Sequence, residues 1–188
     1  KKEFNLDLIL VSSGYEYRNL QLFNDYKPFM IVPINFPKVP YLHSHSASME
    51  VNLSDLKHWD QAPFNPIKLK KSGHDVAITS HGLKNNEFKR NLAKLKYYGY
   101  SSADALASLT TIPAKQLGVL EEIGTIEKGK RAHFFITDMD YFSENSEILS
   151  VWIDGNEFIV NDIPNLDLKG SWIPNGFENI DTLIISEN

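Results

Sequence analysis

The fold is decided by residues 99–137, which read GYSSADALASLTTIPAKQLGVLEEIGTIEKGKRAHFFIT. Ser101 can accept hydrogen bonds from the free N–H groups at a helix start, and apolar residues follow it at helical spacing. Pro113 suits the first turn of a second helix, and Gly118 is a typical residue at a helix end. The stretch predicts two short helices that lead, through a glycine-bounded turn, into the apolar strand Ala132–Thr137.

Three apolar runs precede this stretch, at Leu6–Val11, Phe29–Val32 and Val76–Thr79. We predict strands there, and the almost continuous apolar character of the first predicts burial on both of its faces. Helical patterns separate the runs and also follow the third, at Tyr15–Asn24 and Asn86–Tyr98 among others. Strands that alternate with helices indicate parallel βα units.

The chain changes to β character after residue 130. We predict strands at Ile148–Ile153 and Glu157–Val160, which flank the dipeptide Asp154-Gly155. Such a dipeptide favours a type I′ hairpin turn, since both central residues of that turn need positive φ. The segment predicts a small antiparallel sheet.

Composition excludes several classes of function. The net charge is −5, without a cluster of Lys and Arg, which argues against a nucleic-acid surface. No apolar run reaches the ~18–20 residues of a membrane span. The chain has no cysteine, so disulfides, thiolate metal sites and a cysteine nucleophile are excluded.

A set of short motifs resembles the C-terminal end of the amidohydrolase superfamily, and in particular its imidazolonepropionase-like metal-dependent hydrolases. The motifs follow one another in the family's order over about a third of the chain. They are Ala105-Leu106, Thr110, Pro113-Ala114, Leu117-Gly118, Gly124-Thr125-Ile126, Gly129-Lys130 and Val151-Trp152-Ile153-Asp154-Gly155.

The resemblance implies an α/β fold in which this chain is a fragment of a longer protein. Residues 1–118 would form the last three βα units of a (β/α)8 TIM-type barrel. Residues 119–165 would form part of a small β-sandwich, the composite domain, and residues 166–188 an extra strand or the start of a following segment. We expect the missing upstream part of the same protein to be the partner, and any signal peptide to lie there, so the compartment stays open. The exposed strand edges also predict possible homo-oligomers.

The resemblance also implies zinc or another divalent metal that activates a water molecule for attack on carbon–nitrogen bonds. The family places metal ligands at the carboxyl ends of barrel strands. Ser12-Ser13-Gly14 stands where the sixth strand's His would be, and Ser80 stands where the eighth strand's Asp would be, followed by His81. A neutral hydroxyl is a poorer zinc ligand and a weaker base than a carboxylate, so we expect no metal to be bound by this fragment alone.

Two other patterns leave alternatives open. His43 and His45 form an HxH pair, which can chelate a metal from one face of a strand, or they are solvated imidazoles in a long loop. His81 is a ligand or general base at the barrel mouth, or a loop histidine with an ordinary hydrogen bond. Tyr15 and Tyr17 are predicted to pack or to line a rim, since the sequence shows no basic groove beside them.

Two functional hypotheses result. The chain is the C-terminal part of a hydrolase of non-peptide carbon–nitrogen bonds, with Ser80 and His81 at the mouth of the site and a small-molecule substrate. Alternatively, it is a catalytically silent structural or ligand-binding module of a longer protein.

Overall fold

The computed structural model describes residues 8–40, 49, 51–84, 87–161, 170–172 and 183–185. Within those ranges, no helix combines the length and the apolar character that crossing a membrane requires.

A three-stranded parallel sheet forms the first half of the structure. Strands β1 (Ile9–Val11), β2 (Phe29–Pro33) and β3 (Val76–Thr79) lie side by side in that order. Ile9 pairs with Phe29 in register, and Met30 pairs with Val76. The predicted parallel arrangement of these three runs is confirmed.

The described part of β1 is not buried on both faces as predicted. Ile9 and Val11 are 50% and 74% exposed, and only the neighbouring Leu10 packs towards the core. The reason is that Ile9 and Val11 lie on the same face of the strand, since side chains alternate between the two faces, and in the described structure that face of β1 is uncovered.

Short helices make both crossovers between the parallel strands. The predicted single helix at Tyr15–Asn24 is instead a 3₁₀ turn at Glu16–Arg18 followed by α1 (Gln21–Asn24). The second crossover holds α2 (Leu53–Gln61), a 3₁₀ turn at Ala62–Phe64 and α3 (Asn65–Lys71). The Asn52 side chain caps α2 by accepting a hydrogen bond from the Ser54 N–H at 2.9 Å.

Three more helices cover β3 and close the main core. They are α4 (Glu87–Tyr97), α5 (Ser102–Leu109) and α6 (Thr111–Gln116), and α5 packs against β3. Ser101 caps α5 as its sequence predicts, by accepting from the Asp104 N–H at 3.0 Å. The buried members of the core are Ile34, Ile67, Ile78, Leu92, Leu95, Tyr100, Ala105 and Phe142.

An antiparallel sheet follows, made of β4 (Phe134–Thr137), β5 (Ile148–Ile153) and β6 (Asn156–Ile159). The hairpin between β5 and β6 has positive φ at Asp154 (49°) and Gly155 (81°), which confirms the predicted turn. Strands β7 (Gly170–Trp172) and β8 (Leu183–Ile185) form a separate antiparallel pair. The domain boundaries after residues 118 and 165 stay predictions.

Candidate functional site

The carboxyl ends of the three parallel strands define the candidate site. Since β1, β2 and β3 run in the same direction, the residues after each strand lie along one edge of the sheet. Ser12 and Ser13 follow β1, Ile34 follows β2, and Ser80 follows β3. Parallel α/β folds bind their ligands at this edge, because the loops there converge on one crevice.

The structure places Ser80 and His81 in an exposed turn directly after β3. The Leu83 N–H donates to the Ser80 carbonyl at 3.0 Å, and the His81 N–H donates to Thr79 Oγ1 at 3.2 Å. These bonds hold the backbone of the turn, while the residues Ser80 and His81 themselves are exposed to solvent. Their catalytic role stays a prediction.

A buried carboxylate, which the sequence analysis missed, organises the end of β1. Glu16 is only 9% exposed, and its oxygens accept hydrogen bonds from Ser12 Oγ, Ser13 N (2.7 Å), Ser13 Oγ (2.9 Å) and Gly14 N (3.1 Å). Asn65, at the start of α3, adds a fifth donor through Nδ2 at 2.8 Å. These five residues are called the Glu16 network below.

The Glu16 network keeps its carboxylate ionised. Burial by itself raises the pKa of the Glu16 carboxyl, but the hydrogen bonds from Ser12, Ser13 and Asn65 outweigh it and leave the pKa below its ordinary value. The orientation of the Asn65 amide is fixed because its Oδ1 accepts a hydrogen bond from the Tyr17 N–H at 2.7 Å. The available sequence signal was an acidic residue just after Ser-Ser-Gly, but isolated acidic residues are usually exposed.

An aromatic and cationic group lies next to the Glu16 network. The His58 ring stacks on Tyr15 with centroids 3.8 Å apart, and its Nδ1 lies 3.1 Å from the Tyr17 hydroxyl. The Arg18 guanidinium lies 4.6 Å from the centroid of the Tyr15 ring. Burial, and then the Arg18 charge, lowers the pKa of His58, which is therefore neutral at pH 7.

The argument from the sequence that no basic groove accompanies the two tyrosines is wrong, because basic side chains lie beside both rings. Lys68 Nζ lies 5.4 Å from the centroid of the Tyr17 ring, and Arg18 lies beside both rings. The sequence could not show this, since Lys68 is 51 residues away from Tyr17 in the chain.

Comparison with known proteins identifies the family of the chain. A family model described as "Amidohydrolase family" matches residues 65–158, which is half of the chain. The chain belongs to the amidohydrolase family. The match includes β3, with Ser80 and His81, and the stretch that decides the fold, so the family resemblance predicted from the motifs is confirmed.

Individual amidohydrolases resemble the chain over part of their length. Amidohydrolase tasK of Hapsidospora irregularis is 40% identical over 63 residues, which are 34% of this chain and 6% of that protein. The crystal structure of an amidohydrolase from Thermotoga maritima MSB8 matches 85% of this chain and 39% of its own, with 27% identity and a TM-score of 0.63. A second amidohydrolase crystal structure has 16% identity, covers 82% of this chain and 40% of its own, and has a TM-score of 0.57, which shows the fold alone.

Amidohydrolases usually use a divalent metal, and the described residues can be tested against that requirement. No three His, Asp or Glu side chains in the described ranges lie close enough together to hold one ion. At the strand ends, the Glu16 carboxylate is already surrounded by five hydrogen-bond donors, and Ser80 offers a neutral hydroxyl. This donor set does not fit a metal centre by itself. His43 and His45 lie outside the described residues.

Proposed function

We propose that this chain forms the last three βα units of the barrel, and the following part of the β-sandwich, of a hydrolase that acts on non-peptide carbon–nitrogen bonds. Membership of the amidohydrolase family supports a hydrolase-type function. The observation that carries the proposal is the parallel order β1-β2-β3 with the family motifs directly after it. Ser80 and His81 would line the mouth of the site.

The proposed partner is the upstream part of the same protein. Two exposed apolar edges support this. On β1, Ile9 and Val11 face solvent, and around β6, Phe158, Ile159 and Val160 are 54%, 70% and 55% exposed. Unpaired strand edges with exposed apolar side chains are templates for pairing with further strands. On this proposal, those strands complete the barrel and the sandwich and supply any metal ligands. Pairing between two copies of the chain would be the competing use of the same edges.

A second candidate function is a catalytically silent module that holds its shape without a metal. The observation that favours it is the Glu16 network. At the end of β1 the family resemblance implies a metal-binding histidine. In this chain the buried Glu16 carboxylate at that place is hydrogen-bonded by Ser12 and Asn65 instead.

Metal content and amide hydrolysis separate these candidates. The measurement is elemental analysis of the 188-residue chain and of the intact protein that contains it, followed by a panel of non-peptide amides. Zinc in the intact protein alone, with turnover of an amide, supports the hydrolase. Zinc in the chain that disappears in His43→Ala and His45→Ala, but not in the control His133→Asn, locates a metal site at His43 and His45. An intact protein with neither metal nor turnover supports the silent module.

The predicted role of the β3 turn has its own test. If Ser80 and His81 line the mouth, Ser80→Ala and His81→Asn lower kcat in the intact protein. The exposed His133, which lies in the antiparallel half beside Asp154, provides the matched control His133→Asn. Equal kcat values for the His81 and His133 variants would remove His81 from the site.

A further inference from the structure

An open groove of about 660 Å³ lies between the loop after β1 and helix α2. Tyr17 and Arg18 line one side, and Leu53, Ser54, Lys57 and Asp60 line the other. The groove begins next to the Glu16 network, because the Tyr17 N–H is bonded to Asn65. Its volume falls within the range of small-molecule sites, about 300–1,000 Å³.

The Arg18 guanidinium is held in the groove by neutral groups. Its Nε donates to the Tyr17 hydroxyl at 3.3 Å and its Nη2 donates to Ser54 Oγ at 3.4 Å, while its Cζ lies over the Tyr15 ring, 4.6 Å from the centroid. In the part of the chain that the structure describes, no carboxylate forms an ion pair with it. A guanidinium carries five N–H donors, so most of its capacity remains available to a ligand.

Lys57 places a second cation on the opposite wall of the groove, which helix α2 forms. It follows Ser54 by three residues in α2, so the two side chains lie on one face of the helix. Over the described ranges, its ammonium group has neither an ion pair nor a hydrogen bond. Asp60, the carboxylate among these lining residues, accepts a hydrogen bond from Gln61 Nε2 at 2.6 Å.

We propose that this groove binds the carboxylate of a small-molecule amide, with Arg18 and Lys57 as its cationic partners and the Tyr17 and Ser54 hydroxyls beside it. The planar fork of a guanidinium matches a carboxylate in two parallel hydrogen bonds. Arg18 and Lys57 together with Asp60 give the lining a net charge of +1, which a monoanion balances, whereas a phosphate dianion would leave one negative charge uncompensated. The inference rests on the proposed function for the amide part of the ligand, and on the groove alone for the carboxylate.

The test measures binding by calorimetry to the intact protein. The probes are N-acetylglycine, its neutral analogue N-acetylglycinamide, and inorganic phosphate. N-acetylglycine is expected to bind at least tenfold more tightly than the other two. Lys57→Gln is expected to weaken its binding about tenfold, as for loss of one charge-assisted hydrogen bond. The control Lys128→Gln, which removes another exposed lysine that does not line the groove, is expected to leave it unchanged.

A second variant separates binding from folding. Arg18→Lys keeps the positive charge but loses the fork, so N-acetylglycine affinity is expected to fall while the circular dichroism spectrum stays that of the parent. Equal affinity for N-acetylglycine and N-acetylglycinamide, tighter binding of phosphate, or equal effects of Lys57→Gln and Lys128→Gln would each overturn the inference. Selective N-acetylglycine binding without hydrolysis of any amide would contradict the proposed function and leave the groove standing. Hydrolysis of amides with and without a carboxylate, together with no selective binding of N-acetylglycine, would support the proposed function and overturn the carboxylate site in the groove.

Discussion

Replacement of Glu16 by glutamine tests how much the carboxylate at the end of β1 contributes to stability. The change keeps the shape of the side chain but replaces one acceptor oxygen by an NH₂ donor. One carboxylate oxygen accepts from Gly14 N and Asn65 Nδ2, and the other accepts from Ser13 N. Either orientation of the glutamine amide therefore sets a donor against at least one N–H group.

The expected cost follows from those contacts. A buried donor left without an acceptor costs about 1–3 kcal/mol, and the remaining bonds lose their assistance from the negative charge. Asn65 cannot rotate its amide to compensate, because its Oδ1 is bonded to the Tyr17 N–H at 2.7 Å. We expect Glu16→Gln to lower the free energy of unfolding by about 2–4 kcal/mol at pH 7. The exposed Glu121→Gln is the matched control and is expected to change it by less than about 0.5 kcal/mol.

The assay is urea unfolding of the 188-residue chain at pH 7 and again in acid. Since the pKa of Glu16 is lower in the folded chain than its ordinary value of 4.5, the stabilisation is complete above pH 4.5 and is lost as the pH falls below it. The difference between the parent and Glu16→Gln should therefore narrow in acid. A difference as small as that of Glu121→Gln at pH 7, or one that stays constant into acid, would refute the proposed role of the network.

Three further predictions concern the core, a buried histidine and a turn. Leu92 is fully buried on α4, so Leu92→Ala should lower the free energy of unfolding by about 2–5 kcal/mol. The control Leu117→Ala, at a side chain that is 73% exposed, should lower it by less than about 0.5 kcal/mol. Equal midpoints of the two variants in chemical denaturation would contradict the position of Leu92 in the core. Burial lowers the pKa of His74 below its ordinary 6.5, so the unfolded chain binds a proton at this residue more readily than the folded chain. The free energy of unfolding should therefore fall as the pH falls below 6.5, with a slope of up to about 1.4 kcal/mol per pH unit. His74→Gln should reduce that slope between pH 6.5 and 5.5, and an unchanged slope would exclude His74 as its source. Gly155→Ala should lower the midpoint of thermal unfolding, because φ is +81° at this residue and alanine is strained there. No neighbouring atom obstructs a Cβ, so this backbone strain of about 1 kcal/mol is the whole expected effect. An unaltered midpoint would contradict the turn geometry.

Local patterns were sufficient to predict most of the secondary structure. The run Val76–Thr79 is confirmed as β3 at both ends, and Ile148–Ile153 is confirmed as β5. The Ser101 cap and the Asp154-Gly155 turn were also predictable, because the groups that determine them lie within a few residues of one another. Local patterns failed at residues 15–24, where two short helical turns replace the one predicted helix.

The candidate site was predictable only in its location. The carboxyl ends of the parallel strands followed from the alternation of strands and helices, and Ser80 and His81 lie there. The Glu16 network did not follow, because Asn65 donates to a carboxylate 49 residues earlier in the chain. The groove was missed for the same reason, since its two walls come from residues 17–18 and 53–61.

The sequence by itself determined the family, the order of the elements and the turns, since periodicity, caps and positive-φ residues act over short distances. Tertiary structure alone decided which polar groups are buried and which cations are left unpaired. Glu16 looks like any surface acid in the sequence and is buried only because α3 brings Asn65 against it. Arg18 and Lys57 face one groove only because the loop after β1 and helix α2 pack side by side. The physical reason is that burial and electrostatic pairing depend on distances in space, and the spacing of residues along the chain does not specify those distances.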